Sequence, residues 1–240
     1  MPHQVDGLEK EYDHDNDEQD GLTRLLERTA RSLKLTDVQK GVREELLPSL
    51  LCMAGRNGDL DLLKRLKQMA SGNGLCGCDF KTGDYDGRTA LHLAASEGHA
   101  KAVLYLLKNG AQLNARDRWD ETPLAGAAQH GHVSVIDDLR KAGGRFGADE
   151  MMIGTKMCGL AYSNDINGLK AWLRAGARPD CSDYDGRTPL HIAAWRGHWQ
   201  TVGYLLGEGA DPKRRDVFGC TVVEKLHESG RDDLLAFAHY

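Results

Sequence analysis

The chain has 240 residues, enough to bury a sizeable core, and a formal net charge of −5. Residues 1–20 hold eight acids against Lys10, whereas residues 21–240 hold 28 acids and 30 bases and are nearly neutral. This balance lacks the concentrated positive charge that binding to a nucleic-acid backbone requires. The N-terminus lacks the basic and then apolar order of a signal peptide, and the best apolar stretch, residues 46–54, is too short for a membrane span. We therefore expect a cytoplasmic protein that binds neither nucleic acid nor membranes.

Residues 1–20 are predicted to form a disordered acidic leader, because they offer almost no apolar surface to offset the entropy cost of ordering. The alternative is a Ca²⁺-binding loop built on Asp13, Asp15 and Asp17. The turn glycine and the distal glutamate of an EF-hand are out of place, so disorder is favoured.

Residues 21–47 are predicted to form a helical N-terminal cap. Leu22, Leu25 and Leu26 begin an apolar stretch with helical spacing, and Thr36 with Gln39 resembles a capping box that opens a second helix. Such helices would cover the exposed end of the units that follow. A helix that binds a partner is the alternative.

A 33-residue period organises residues 48–240. The segment Asp-Tyr-Asp-Gly-Arg-Thr-x-Leu-His occurs at residues 84–92 and again, 99 residues later, at residues 183–191. Threonines mark the same register at five positions: Thr89, Thr122, Thr155, Thr188 and Thr221. A Thr-Pro-Leu-His-x-Ala pattern at this period is typical of ankyrin repeats. We predict an all-α ankyrin-repeat solenoid of about six helix-turn-helix repeats with β-turn fingers.

Three of the six units depart from the pattern. The first unit precedes the second by forty residues, because seven extra residues around 71–81 are predicted to form an enlarged loop. The sixth begins at Thr221 and is predicted to be a terminal cap. In the fourth, strong helix formers replace the turn, and Ile153 occupies a position where other units have a glycine with positive φ. We predict that the fourth unit lacks a finger and is helical from near Asp149.

The histidines and cysteines follow the repeat register. His92 and His191 occupy the histidine of the motif, and Cys52 and Cys158 fill the same helix position, which predicts buried thiols rather than disulfides. The Cys-x-Cys pair at residues 76–78 lacks two further ligands and is interpreted as a flexible reduced loop. The sequence also lacks a nucleophile elbow, a phosphate-binding loop and a zinc-protease helix. We expect no enzyme activity, no cofactor and no metal.

Three short runs carry a narrower resemblance. They are residues 46–50, residues 155–162 with residues 175–177, and residues 184–186. They resemble the C-terminal ankyrin region of animal cytosolic L-asparaginases, also called 60 kDa lysophospholipases, over roughly residues 44–230. In that family a separate N-terminal domain hydrolyses asparagine with a threonine in a Thr-Gly-Gly-Thr segment. Here Thr82-Gly83 is followed by Asp84, so the resemblance implies shared ancestry or a missing partner domain and supplies no catalytic residue.

Ankyrin proteins usually bind partners on a concave groove lined by finger tips and by the outward positions of each first helix. Aromatic and arginine side chains concentrate binding energy at interfaces. The register places nine of them on this face: Tyr85, Arg88, Arg118, Trp119, Tyr184, Arg187, Trp195, Arg196 and Trp199. We predict a protein-binding or scaffolding module that binds its partner most strongly on the fifth repeat. The alternatives are a non-catalytic regulatory fragment of an asparaginase-type amidohydrolase, a self-associating cap, and a structural role for Trp195 and Trp199 against each other or the sixth unit.

Overall fold

The computed structural model describes residues 37–71, 80–147 and 149–237. Within these ranges the chain forms eleven α-helices and one 3₁₀ helix, arranged as consecutive pairs. The helices are α1 (Asp37–Arg56), α2 (Leu60–Ser71), α3 (Ala90–Ser96), α4 (Ala100–Lys108), α5 (Pro123–Gln129), α6 (Val133–Lys141), α7 (Glu150–Tyr162), α8 (Ile166–Arg174), α9 (Pro189–Arg196), α10 (Trp199–Gly207) and α11 (Val222–Glu228), with the 3₁₀ helix at Asp232–Phe237. The all-α repeat architecture expected from the 33-residue period is confirmed.

The chain divides into two compact units, one ending at Leu46 and the other beginning at Leu47. Helix α1 crosses this division without interruption and contains Pro48. The predicted second stretch of the cap lies within α1, and the boundary between cap and repeats stays a prediction. The acidic leader, the first predicted cap helix and the Cys-x-Cys pair lie outside the described residues.

A continuous layer of leucines holds the repeats of the second unit together. Leu91, Leu106, Leu190 and Leu205 are fully buried, as their register predicts. Equivalent leucines continue the layer in the neighbouring repeats, at Leu51, Leu63, Leu124, Leu139 and Leu169. Burying one such side chain stabilises the fold by roughly 1.5–3 kcal/mol. Each leucine packs partly against the adjacent repeat, so the core is continuous from one repeat to the next.

Four fingers have the predicted tight turn, and an aspartate organises each one. One oxygen of this carboxylate accepts hydrogen bonds from the backbone amides two and four residues later, at 2.9 to 3.0 Å. The fingers are residues 84–88, 117–121, 183–187 and 216–220, which begin at Asp84, Asp117, Asp183 and Asp216. The fourth residue has positive φ and is glycine in three fingers, whereas Asp120 adopts φ 62° in the other. A short polar side chain tolerates this conformation.

The fourth repeat lacks this finger, as predicted. Helix α7 begins at Glu150 with Asp149 as its N-cap, and Ile153 is buried in the core. Gly154 lies against the backbone of Ser182 so closely that a Cβ there would sit 2.1 Å from the Ser182 carbonyl oxygen. A helix therefore takes the sequence position that a finger occupies in the second, third, fifth and sixth repeats.

The missing finger separates the other four into two pairs. In the first finger pair, the Arg118 amide donates to the Asp86 carbonyl oxygen at 2.8 Å. In the second finger pair, the Val217 amide donates to the Asp185 carbonyl oxygen at 3.0 Å. The first pair joins residues 84–88 to residues 117–121, and the second joins residues 183–187 to residues 216–220.

Candidate functional site

The first finger pair presents a cluster of rings and guanidinium groups. Tyr85 is 97% exposed, and the Arg118 guanidinium lies over both the Tyr85 ring, at 5.9 Å, and the Trp119 ring, at 5.1 Å. The Arg88 guanidinium also lies over the Trp119 ring, at 5.9 Å. The predicted residues of the second and third repeats are therefore brought together.

A cleft of about 150 Å³ lies between these fingers and the first helices of the second and third repeats. Trp119 and Arg88 line its finger side, whereas Ser96 and Gln129 line its helix side. Because Ser96 and Gln129 stand 33 residues apart, they mark the row of helix positions that faces the fingers. The same row continues, in register, to Tyr162 and Trp195.

The cations of the first finger pair are paired with carboxylates of the same fingers. Arg118 contacts Asp86 at 2.7 Å, and Arg88 contacts Asp86 at 3.0 Å and Asp84 at 3.3 Å. In the same way, Arg116 contacts Asp120 at 2.7 Å. Exposed pairs of this kind contribute only about 0–1 kcal/mol to stability. They do neutralise this surface locally.

The second finger pair also clusters aromatic rings around an arginine. The Arg187 guanidinium lies between the Trp195 ring, at 5.5 Å, and the Phe218 ring, at 5.2 Å. Trp195 is 39% exposed, Phe218 65% and Tyr184 74%. Two large accessible rings therefore flank one guanidinium, and the exposed Tyr184 belongs to the same finger as Arg187. Aromatic and arginine side chains are the composition of an interface anchor.

Arg187 is paired with two carboxylates, but its Nε atom donates no hydrogen bond to the described residues, as is also true of Arg88 Nε in the first finger pair. Its Nη1 atom contacts Asp185 at 3.1 Å, and its Nε atom lies 3.9 Å from Asp216 Oδ2. Arg187 Nε and Asp216 Oδ2 are buried and have no hydrogen-bond partner within the described part of the chain. Buried polar atoms without partners are costly, and such costs are common at functional sites.

Arg196 extends the second cluster toward the fourth repeat. Its guanidinium lies 4.2 Å from the centre of the Tyr162 ring, which is exposed at the end of α7. Tyr162 precedes Trp195 by 33 residues, so the two rings occupy the same place in adjacent repeats. The rings and guanidiniums of the second cluster thus extend from the fourth repeat to the sixth.

Trp199, which is predicted to bind a partner next to Trp195, has described contacts with the core and with the sixth unit. It begins α10, packs partly against the core and has the Arg231 guanidinium 5.3 Å from its ring centre. Trp199 thus lies in a second helix, whereas Trp195 lies in a first helix. For Trp199, packing against the sixth unit is the observed arrangement.

Sequence reasoning missed Phe218 and Tyr162. Phe218 follows Trp119 by 99 residues and holds the same finger-tip position, so the register alone could have identified it. The sixth unit is predicted only as a terminal cap, so no binding residue in it is predicted from the sequence. Tyr162 was overlooked because the fourth repeat lacks a finger, although its first helix keeps the register.

The thiols and motif histidines are structural in this arrangement. Cys52 and Cys158 are buried, as predicted, and each Sγ donates to the carbonyl oxygen of the finger arginine that follows it, at 3.2 Å in both cases. Burial raises the pKa of Cys52 to about 11, which disfavours the reactive thiolate. His92 Nε2 lies 3.1 Å from the Glu121 carbonyl oxygen, so this contact joins the second repeat to the finger of the third repeat.

Among the described residues, no cluster of three or more histidine, cysteine, aspartate or glutamate side chains is arranged to hold a metal ion. None of the described helices combines the length and apolar character that a membrane span needs.

Comparisons with known proteins agree with this architecture. Residues 51–149 match the family model of ankyrin repeats in three copies, and residues 173–226 match that of ankyrin repeats in many copies. A chain in the solved complex of the Bd0816 predatory endopeptidase from Bdellovibrio bacteriovorus with the immunity protein Bd3460 is 26% identical, with a TM-score of 0.57. The similarity covers 78% of this chain and 95% of that one.

Two curated relatives carry the narrower resemblance. An L-asparaginase of Dirofilaria immitis is 37% identical over 213 residues, which are 88% of this chain and 35% of the relative. The 60 kDa lysophospholipase of Mus musculus is 37% identical over 190 residues, which are 78% of this chain and 32% of the relative. The chain thus spans about a third of the length of these relatives. It belongs to the ankyrin-repeat proteins and resembles the ankyrin region of the L-asparaginase and lysophospholipase group.

Proposed function

We propose that this chain is a protein-binding or scaffolding module, without catalysis of its own, whose partner docks on the finger tips and the adjoining first helices. The observation that supports this most is the second finger pair. There Arg187 lies between two exposed rings, Trp195 and Phe218, and Tyr184 of the same finger is also exposed. An exposed cluster of rings does not stabilise the stack of repeats, and its composition matches the anchors of protein interfaces.

The second finger pair should contribute more binding energy than the first. Its rings and guanidiniums extend from Tyr162 to Phe218. Arg196 among them contacts no carboxylate of the described residues, whereas Arg88 and Arg118 of the first pair are both paired with Asp86. The partner in this proposal is a cytoplasmic protein rather than a nucleic acid or a membrane.

A pull-down from cytosol with matched variants tests the proposal. The double variant Trp195→Ala/Arg196→Ala should weaken capture of the partner by at least about 2 kcal/mol. Its melting profile should stay close to that of the unchanged protein, because both side chains are exposed. Capture that survives in this variant and is lost with Trp119→Ala would place the site on the first finger pair. Loss of folding in the double variant would mean that Trp195 belongs to the core.

A second candidate is a non-catalytic regulatory region of an asparaginase or lysophospholipase type of amidohydrolase. It is supported by the coverage of the relatives, since 88% of this chain matches 35% of an L-asparaginase. The purified chain should release no ammonia from asparagine. Titration with a separately produced asparaginase catalytic domain should raise or lower its activity if this candidate holds, and unchanged activity with no binding would exclude it. Ammonia release by the chain alone would refute both candidates.

A further inference from the structure

The two finger pairs and their adjoining helix ends are equivalent in position and opposite in charge. The second–third groove comprises residues 84–88, 96–97 and 114–121, and the fifth–sixth groove comprises the residues 99 positions later, 183–187, 195–196 and 213–220. The second–third groove contains six acidic and three basic residues, a net charge of −3. The fifth–sixth groove contains three acidic and five basic residues, a net charge of +2. Equivalent surfaces on one scaffold therefore present opposite potentials.

The difference comes from individual replacements at matched positions. Arg196 stands where the second repeat has Glu97, and Arg214 stands where the third repeat has Ala115. Both arginines are exposed, and neither pairs with a carboxylate of the described residues. By contrast, Arg118 in the second–third groove contacts Asp86. The positive charges of Arg196 and Arg214 are thus available to a ligand.

We propose that the fifth–sixth groove binds an acidic segment of a partner protein that also carries an aromatic or aliphatic anchor. This inference rests on the proposed function and specifies its partner. The carboxylates of the segment would meet Arg196 and Arg214, where charge-assisted hydrogen bonds are roughly twice as strong as neutral ones. Its apolar side chain would pack on the exposed faces of Trp195 and Phe218.

The acids of the groove favour a peptide over a uniform polyanion. Asp183 and Asp185 lie in the same finger as Arg187, and Asp216 follows Arg215, so a chain of evenly spaced phosphates would meet repulsion along the fingers. A peptide can place its carboxylates opposite the arginines and its apolar side chains opposite the rings. Electrostatic complementarity of this kind determines partner choice and association rate more than raw affinity.

Selection from a phage-displayed random peptide library on the full chain tests the inference. The selected peptides should be acidic and contain an aromatic or aliphatic residue, and their binding should weaken as the salt concentration rises. A labelled selected peptide should bind at least about tenfold more weakly to Arg196→Glu, which introduces the residue found in the second repeat. Arg214→Ala should weaken it less, and Lys101→Glu, the same change of charge on the exposed outer face of α4, should leave the affinity unchanged.

The outcomes separate this inference from the proposed function. Selection of neutral or basic peptides would contradict the inference that the partner segment is acidic. The proposal that the chain binds proteins would still hold. Failure to select any peptide would overturn both. Tighter binding of a uridine oligonucleotide than of the acidic peptide, or a dimer that Arg196→Glu dissociates, would also overturn the inference. If Arg196→Glu does not fold, an unchanged affinity of Arg214→Ala for the selected peptide would overturn the inference.

Discussion

One position in the first helix links four of the repeats, the first, second, fourth and fifth, to the next repeat through a single side chain. In the second and fifth repeats this side chain is a histidine, and in the first and fourth it is a cysteine. Both residue types bond to the carbonyl oxygen just before the threonine of the next repeat, with His92 reaching Glu121 and Cys52 reaching Arg88. A thiol and an imidazole therefore satisfy the same buried carbonyl, although they differ in size and in acid–base behaviour.

The buried thiols should resist alkylation. Burial raises the pKa of Cys52 and Cys181 to about 11 and also raises that of Cys158, so little thiolate forms near neutral pH. Iodoacetamide applied to the folded protein at about pH 7.5 should modify Cys220, which is partly exposed, well before these three. Peptide mapping by mass spectrometry measures the order. Modification of Cys158 as fast as Cys220 in the folded protein would contradict this account.

Acid should destabilise the protein through its motif histidines. Burial lowers the pKa of His92 and His191, and each Nδ1 accepts a hydrogen bond from a threonine amide that protonation would remove. The two imidazoles stay neutral in the folded protein, whereas in the unfolded chain they bind protons below about pH 6.5. Their contribution to the free energy of unfolding is therefore present above that pH and is lost as the pH falls. The urea midpoint should therefore drop between about pH 7.5 and about pH 5.5.

The chain supplies its own control for this effect, because cysteine fills the same position in two repeats. The double variant His92→Cys/His191→Cys should unfold with a smaller pH dependence over the same range. An equal loss of stability in the variant and in the unchanged protein would assign the acid sensitivity to other groups.

At the scale of elements, the fourth repeat shows why a helix can replace a finger. Its turn position holds Ile153, which is buried in the core, and Gly154 allows α7 to pass close to the Ser182 carbonyl. The Thr155 hydroxyl donates to the Met151 carbonyl oxygen at 2.9 Å within α7, so this threonine no longer marks a helix start. The same register thus supports two local structures.

Two glycines of α7 should respond oppositely to alanine. Gly154→Ala would place a Cβ 2.1 Å from a backbone oxygen and should destabilise the protein by more than about 2 kcal/mol. Gly159 is exposed with nothing within 4 Å of its would-be Cβ, so Gly159→Ala should stabilise the helix by roughly 0.5–1 kcal/mol. Thermal melts of both variants measure the contrast. If Gly154→Ala leaves the melting temperature unchanged, the close approach of α7 to the Ser182 carbonyl does not restrict residue 154.

Most of the fold could be predicted from the sequence because the 33-residue register fixes turns, helix starts and buried leucines together. The helical fourth repeat could also be predicted, since Ile153 cannot easily adopt the positive φ of Gly87. The candidate site was predicted less completely. Phe218 and Tyr162 follow the register but lie in units that were interpreted as degenerate, whereas the position of Trp199 depends on Arg231, a contact that no local pattern encodes.

At the scale of the whole molecule, stability is shared between neighbours. The fourth and fifth repeats are joined by the Cys158 Sγ bond to the Arg187 carbonyl, by His198 Nε2 at 3.2 Å from the Tyr162 carbonyl, and by a 2.7 Å bond from Thr201 Oγ1 to Asn164 Oδ1. These contacts couple the loss of structure in one repeat to the next, as expected for a linear array of repeats. They also link α7 to the elements that carry the second finger pair.

Damage to the fourth repeat should therefore loosen the fifth and spare the second. Leu169 in α8 is fully buried, so Leu169→Ala should lower the free energy of unfolding by roughly 2–5 kcal/mol. Hydrogen exchange should show faster opening of α9 and α10 than in the unchanged protein, while the amides of α3 keep most of their protection. In the matched variant Leu91→Ala, the loss of exchange protection should instead fall mainly on α3 and α5. If exchange accelerates only within α7 and α8, the repeats open independently, and the contacts between the fourth and fifth repeats contribute little to their coupling.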